Sequence, residues 1–427
     1  MVSREHVNKS KIRGACVRAA AAASVLCSLL AGGAIGAAPA SAGTMRERQW
    51  YLETMQAEQM WQVTTGKGIT VAVIDSGVRS SQPELQGRVR PGKDFTRSGE
   101  LHSEWEDTDS HGTAMATLIA GDGAGGQGIK GLAPDAEILP VKVGARNVPA
   151  SRLAAAIRYA ADSKAQIISM SLGMQSYLLS DKAKGALQDA VNYALKHGKL
   201  LLAGSGNDGD KDNAVSYPAA TRGVVGIASV DANYKTAKYS THGSQVALAA
   251  PGENLPTPCW KGSGYCRSGG TSQATAIASA SAALVWSLRP KWTNNQVLRV
   301  LMDTAGKPTD GPVPSQYIGY GTIRPRIPVL EKKGNPGAPD VSPLAEGAKA
   351  SDGKAAKPGP APSSEAQKSK DKAKKDKDDN LPWFIGGAIA VAVPGAVLLA
   401  LIFRRRSRAR ARARAQQQPT APPPTAP

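Results

Sequence analysis

The sequence predicts an α/β domain, a mostly parallel β-sheet with helices on both faces, followed by one membrane-spanning helix near the C-terminus. Three observations predict it. Between about residues 43 and 330, short aliphatic and β-branched runs alternate with stretches of helical periodicity, the pattern of strand–helix–strand units. The strand runs are apolar throughout, as strands buried on both faces are. Residues 381–403 are 23 consecutive residues without a charge, where ~20 suffice to cross a bilayer.

The elements follow in order. Arg4, Lys9, Lys11, Arg13 and Arg18 precede an Ala/Leu-rich run from about Ala19 to Ala37, and the small residues Ala40-Ser41-Ala42 close it. Residues 1–42 therefore read as a secretory signal peptide cut before Gly43. Leu26 before Cys27 is too bulky for a lipoprotein signal. Residues 43–330 form the folded unit. Strands are expected at Ile69–Ile74, Glu137–Val143, Gln166–Leu172, Lys199–Ala203 and Val224–Val230, and helices at Thr113–Ala120, Ser151–Ser163, Ser180–His197 and along the Ala-rich run that follows Ser272 to about Leu288. From 331 to 380 Pro, Gly, Ala, Ser, Lys and Asp dominate. Such a stretch buries too little apolar surface to fold, so it is expected to be a disordered linker. Leu381–Phe403 is the span, with Trp383 and Phe384 as interfacial aromatics and Pro394 a tolerated kink. Seven arginines between 404 and 414 follow at once. The positive-inside rule puts the tail, 404–427, in the cytoplasm and the folded domain outside, in a single-pass protein of the cell membrane.

The net charge of +19 invites a nucleic-acid reading, but its distribution opposes one. The signal segment carries +4, the arginine tail +7 and the linker +2, leaving +6 for everything else. Most of the excess flanks apolar segments, where it encodes topology and contact with anionic lipid. No nucleic-acid partner is expected. Removal of residues 1–42 takes Cys16 and Cys27 with it and leaves Cys259 and Cys266 in an exported domain. Two thiols that close in sequence, in an oxidising compartment and without further metal ligands nearby, predict a disulfide.

Four motifs carry the candidate chemistry. Ile74-Asp75-Ser76-Gly77 follows a strand, and Asp109-Ser110-His111-Gly112-Thr113 opens a helix. Leu202-Ala203-Gly204-Ser205-Gly206-Asn207 ends another strand, and Gly269-Gly270-Thr271-Ser272 precedes the long Ala-rich helix. Each has an ordinary structural use: a turn-bonding Asp, a structural His, a left-handed loop Asn, an N-cap Ser. Together, in the order Asp, His, Asn, Ser, each at a strand end or a helix start, they form a specific set. Carboxyl ends of parallel strands are where open α/β sheets hold ligands, and a helix start stabilises a developing oxyanion.

On these motifs the chain resembles the subtilisin family of serine proteases, over about Trp61 to Pro328. The resemblance implies a subtilisin-like fold and peptide-bond hydrolysis through an acyl-enzyme. Ser272 would be the nucleophile, His111 the general base and acid, and Asp75 the residue that orients His111. The Ser272 backbone N–H and the Asn207 side-chain amide would form the oxyanion hole. Ser171-Leu172-Gly173 would pair with extended substrate, and Ala203-Gly204-Ser205 would wall the specificity pocket. Two positions depart from the family pattern: Gln273 stands where Met often follows the nucleophile, and Ala276 where Pro is usual. Neither does chemistry, but they blur the subfamily. No cofactor is implied, and no acidic loop reads as a calcium site.

Gly43 lies 32 residues before Asp75, and much of that stretch resembles the start of the peptidase domain, which leaves no room for an inhibitory pro-domain. Signal peptide, peptidase domain, Pro-rich linker and C-terminal span together resemble the mycosins. That implies a polypeptide substrate and association with a type VII secretion membrane complex. A scaffold of such a complex with dispensable peptidase activity is the alternative. An anchored adhesion module would have no need of Asp75, His111, Asn207 and Ser272 together.

Overall fold

The computed structural model describes residues 44–96, 103–107, 109–145, 147–259 and 264–345. Short helical turns at Met45–Arg48, Trp50–Thr54 and Ala57–Trp61 lead into strand β1 (Thr70–Asp75). The chain continues through β2 (Lys93–Asp94), helix α1 (His111–Ala120), β3 (Glu137–Lys142), α2 (Ala150–Asp162), β4 (Ile167–Met170) and β5 (Met174–Gln175). Next come α3 (Asp181–Lys196), β6 (Leu200–Gly204), β7 (Ser216–Tyr217), β8 (Val225–Val230) and β9 (Val246–Pro251). A hairpin of β10 (Leu255–Pro258) and β11 (Tyr265–Ser268) precedes α4 (Thr271–Leu288) and α5 (Asn294–Asp303).

Seven strands form one sheet in the order β2-β3-β1-β4-β6-β8-β9, and every neighbouring pair is parallel. Side chains alternate between its faces. Val71 and Val73 pack into the core beneath α1, α4 and α5, whereas Ala72 and Ile74 face the core beneath α2 and α3. Fifteen of the eighteen residues of α4 are buried, as expected of a helix apolar all round. Its small residues let it lie close to the strands, and its hydroxyls are paired: Ser279 Oγ donates to Ser169 Oγ of β4 at 2.9 Å.

The order of the strands positions the site. From β1 the chain crosses to β3 on one side, then returns to β4 on the other side of β1. The connections at the carboxyl ends of β1 and β4 therefore part, opening a crevice at that point.

All five expected strands and all four expected helices form, within two residues of their expected bounds. The expected linker boundary needs correction. Residues 331–345 do not leave the domain but run along α5. Thr293 Oγ1 and Asn295 Nδ2 both donate to the Pro339 carbonyl, at 2.8 and 3.0 Å, and Arg299 Nη2 donates to that of Val341 at 2.9 Å. A polar segment with few apolar groups is fixed here by donors on another element. The expected signal peptide, the rest of the linker, the membrane span at 381–403 and the arginine tail lie outside the described residues. Among the described residues no helix is long and apolar enough to cross a membrane.

Candidate active site

Asp75 is the last residue of β1, 3 % exposed, and α1 starts with His111 directly above it. The close approach needs glycine at 112: a Cβ there would collide with the Gly77 carbonyl and press on the Asp75 side chain. Asp75 Oδ1 accepts from His111 Nδ1 at 2.8 Å and from the Ser76 N–H at 2.7 Å. Asp75 Oδ2 is buried and has no hydrogen-bond partner among the described residues.

Asp107, which the sequence motifs did not single out, braces this corner. Its Oδ1 accepts from Ser76 Oγ and the Ser110 N–H, both at 2.8 Å, and its Oδ2 from the Thr113 N–H and Oγ1 at 2.8 and 2.6 Å. Ser76 Oγ in turn accepts from the Gly112 N–H at 2.9 Å. Ser110 is held in the left-handed region, at φ 61°, an uncommon conformation for a non-glycine residue. The signal of Asp107 in the sequence was weak, since an acid before a helix start is ordinarily a dipole partner.

The electrostatics follow from this packing. Burial disfavours the His111 imidazolium, but the charge and hydrogen bond of Asp75, with help from Asp109 and Asp107, outweigh it and raise its pKa to about 9. A third of the His111 side chain remains open to the cleft.

Ser272 occupies the first turn of α4, where its N–H has no intrahelical acceptor. Asn207 stands opposite. Its Oδ1 accepts from the Thr271 N–H at 2.9 Å and Oγ1 at 3.1 Å, which fixes the amide so that Nδ2 is the free end. The Ser272 hydroxyl donates to the Ser171 carbonyl at 3.2 Å, and the Ser171 hydroxyl donates to the Ser272 carbonyl at 3.1 Å. Among the described residues no hydrogen bond joins Ser272 Oγ to His111. In this rotamer the Ser272 hydroxyl is docked on the segment that follows β4.

Asp75, His111, Asn207 and Ser272 line one cleft of about 350 Å³, together with Ser171, Leu172, Gly173 and Gly204. Ala203 and Ser205 do not line it. Ala203 points into the core under α2 and α3, as strand alternation requires next to Gly204, and Ser205 is fully buried. Of the expected pocket wall only Gly204 faces the cleft. Sequence reasoning missed Asp109, Gln175, Asp208 and Ser216, which also line it. Gln175 Nε2 donates to Asp208 Oδ2 at 3.1 Å, and Lys211 pairs with Asp208 at 3.0 Å.

The loop leading to Ser272 is braced as well. Cys259 and Cys266 are disulfide-bonded across the β10–β11 hairpin. From it, Thr257 Oγ1 and Ser268 Oγ lie 3.0 Å apart, and Gln273 Nε2 donates to Ser268 Oγ at 2.9 Å. Gln273 is buried beside Ser272 and tied to the hairpin.

An acid–imidazole pair, a serine at a helix start and an amide donor converging on one cleft is an arrangement for acyl transfer. The Subtilase family (Peptidase S8) model matches residues 66–321. The chain belongs to the subtilase family of serine peptidases. Among solved structures it is similar to MycP1 from Mycobacterium smegmatis, with a TM-score of 0.60 and 27% identity over 70% of this chain and 89% of that one. Among curated proteins it is 36% identical over 242 residues to thermitase from Thermoactinomyces vulgaris, covering 56% of this chain and 82% of thermitase. It is 35% identical over 290 residues to the minor extracellular protease Epr from Bacillus subtilis (strain 168), covering 65% of this chain but only 41% of Epr's length.

Proposed function

We propose that this subtilase is a serine endopeptidase anchored in the cell membrane, its catalytic domain outside, working beside a type VII secretion complex. The observation that carries the peptidase reading is the Asp75–His111 hydrogen bond at 2.8 Å in a cleft shared with Ser272 and Asn207. In the proposed reaction Ser272 Oγ turns from the Ser171 carbonyl toward His111 Nε2 and attacks the scissile carbonyl. His111 takes the hydroxyl proton and later delivers it to the leaving amine. Asp75 holds the Nδ1–H tautomer and stabilises the imidazolium. The Ser272 N–H and Asn207 Nδ2 receive the oxyanion. Residues 171–173 continue past the end of β4 along the cleft and offer backbone groups to an extended substrate.

Two observations support the location and partner. One is likeness to MycP1, described as an essential component of the type VII (ESX-1) secretion system. The other is the uncharged run 381–403 followed by arginines. A second reading, a secretion scaffold whose peptidase activity is dispensable or is switched on by a partner, draws on the Ser272 hydroxyl being bonded to Ser171 rather than to His111.

Labelling with a fluorophosphonate, which reacts only with an activated serine, tests both. Labelling of the wild type that disappears in Ser272→Ala and His111→Ala is expected. A folded wild type that stays unlabelled would favour the scaffold.

A further inference from the structure

The described residues enclose a second cavity, of about 730 Å³, which shares no lining residue with the catalytic cleft. It lies between the turn that follows β8 and the segments that follow α5. Its charge is one-sided: Lys235, Lys307, Arg324 and Arg326 line it, against a single acid, Asp310, among the lining residues. Lys307 Nζ donates to the Met302 carbonyl at 2.7 Å, and Arg324 Nε and Nη2 donate to the Thr304 and Ala305 carbonyls, both at 3.0 Å. Among the described residues neither Lys307 nor Arg324 pairs with a carboxylate; Arg326 does, with Glu331 at 3.2 Å. Burial and the charge of Arg324 hold the Lys307 ammonium below its ordinary range, although Asp303 works the other way. Four cations face the recess, against Asp310 in its lining and Asp303 and Glu331 beside it, an excess of positive charge that an anionic ligand would relieve.

The rim is aromatic. Tyr234 is 45% exposed and held at φ 60°, and Tyr317, 53% exposed, stacks on His242 with ring centroids 4.7 Å apart. A non-glycine residue kept in the left-handed region signals a position over-determined by its surroundings, and here the result is a tyrosine presented to solvent. Met55, Ile318 and Ile323 supply an apolar floor.

We propose that this cavity docks an acidic polypeptide segment of a partner protein, with carboxylates reaching Lys235, Lys307 and Arg324 and an aromatic or aliphatic side chain on the apolar floor. Three features select a polypeptide. The volume is that of a multi-residue or drug-sized occupant. An inorganic anion would engage the cations yet leave the tyrosines and floor bare. Tyrosine and arginine are also the residues enriched where protein partners bind tightly. The proposal goes beyond the peptidase reading and does not depend on it.

The test uses the full-length chain and a short fluorescein-labelled peptide of glutamates interrupted by two phenylalanines, followed by anisotropy at physiological salt. Saturable binding is expected, weakened about tenfold by Lys235→Glu and by Tyr317→Ser. Both sites are on the exposed rim, so the fold survives. The same variants should cleave a short substrate at the wild-type rate, which separates this site from the cleft. Equal binding of the lysine counterpart would overturn the proposal, and so would unchanged affinity in both rim variants. Displacement of the peptide by millimolar inorganic phosphate would reassign the cavity to a small anion. Retention on phosphatidylglycerol vesicles that Lys235→Glu and Tyr317→Ser abolish, without peptide binding, would reassign it to lipid; retention that survives both variants belongs to the arginine tail and, without peptide binding, overturns the proposal.

Discussion

The end of β1 and the turn before α1 each carry a buried aspartate, and the two are used in opposite ways. On the turn, Asp107 spends both oxygens on two backbone N–H groups and two hydroxyls of Ser76, Ser110 and Thr113, and its charge adds to that of Asp75 and Asp109 in raising the His111 pKa. On the strand, Asp75 gives one oxygen to His111 and the Ser76 N–H, while Oδ2 is buried without a partner among the described residues. An orphaned carboxylate oxygen is costly in a protein interior. Its persistence here leaves negative charge free to act on the imidazole instead of being quenched by local donors.

The largest expected effect sharpens that contrast. Asp75→Asn keeps the shape but offers His111 Nδ1 an amide that favours the wrong tautomer. Its kcat is expected to fall on the order of 10⁴, with a cooperative thermal transition retained. A loss of only a few-fold would mean that Asp75 is another brace. Next is Asn207→Ala, which removes one oxyanion donor and should lower kcat on the order of 10²–10³, with KM for a peptide substrate little changed. Because Asn207 Oδ1 also holds Thr271, Asn207→Asp is the useful control. It keeps the acceptor, removes the donor and sets a negative charge against the oxyanion, so a loss in Asn207→Asp at least as large as in Asn207→Ala assigns the effect to the donor rather than to the Thr271 contact.

Asp107→Asn is expected to reverse the ranking. An amide nitrogen would face a donor at either Ser110 or Thr113, leaving a buried conflict that costs about 1–3 kcal/mol. The melting temperature should drop while kcat measured well below it stays within several-fold of wild type. Calorimetry and kinetics on the same preparation would show whether the two aspartates separate so cleanly.

Why Asp75 was legible in the sequence and Asp107 was not is a matter of periodicity. Asp75 ends an apolar run, and His111, Asn207 and Ser272 likewise sit where a strand stops or a helix starts, so topology alone brings them to one edge of the sheet. Asp107 lies in a polar turn whose pattern predicts nothing beyond a loop. β9 was missed for a related reason: Val246-Ala-Leu-Ala-Ala-Pro251 is too rich in alanine and proline to read as a strand, and it becomes one because β8 offers it a parallel edge. The Ala203-Gly204-Ser205 wall failed at single-residue resolution, since motif matching ignores which face of the sheet a side chain takes. The segment 331–345 has linker composition and is held by hydrogen bonds with α5 and by Leu344 packing on the core. The cationic cavity gathers residues from 54 to 326, contacts that no local pattern encodes.

The smallest expected effect concerns Asp109, which lines the cleft but forms no ion pair or hydrogen bond among the described residues. Its charge is one of those that raise the His111 pKa to about 9. The base must be neutral to accept the Ser272 proton, so kcat/KM should climb with pH and level off only above about 9, as base catalysis requires. The stability linkage has the opposite sign. A histidine whose folded pKa exceeds its unfolded value of ~6.5 stabilises the fold fully below that value. The contribution fades as pH rises through about 9, so the protein is expected to lose stability over the window in which it gains activity. Asp109→Asn removes one negative charge without touching the Asp75–His111 hydrogen bond. It should move the rising limb of the pH–rate profile to lower pH by a fraction of a unit, raise kcat/KM near neutrality, and leave the alkaline plateau unchanged. High salt should shrink the shift in the wild type, because a partly exposed charge is screened. A profile that does not move would place the control of His111 entirely in the buried pair beneath it, and Asp109 would then be a cleft residue with no electrostatic part in the reaction.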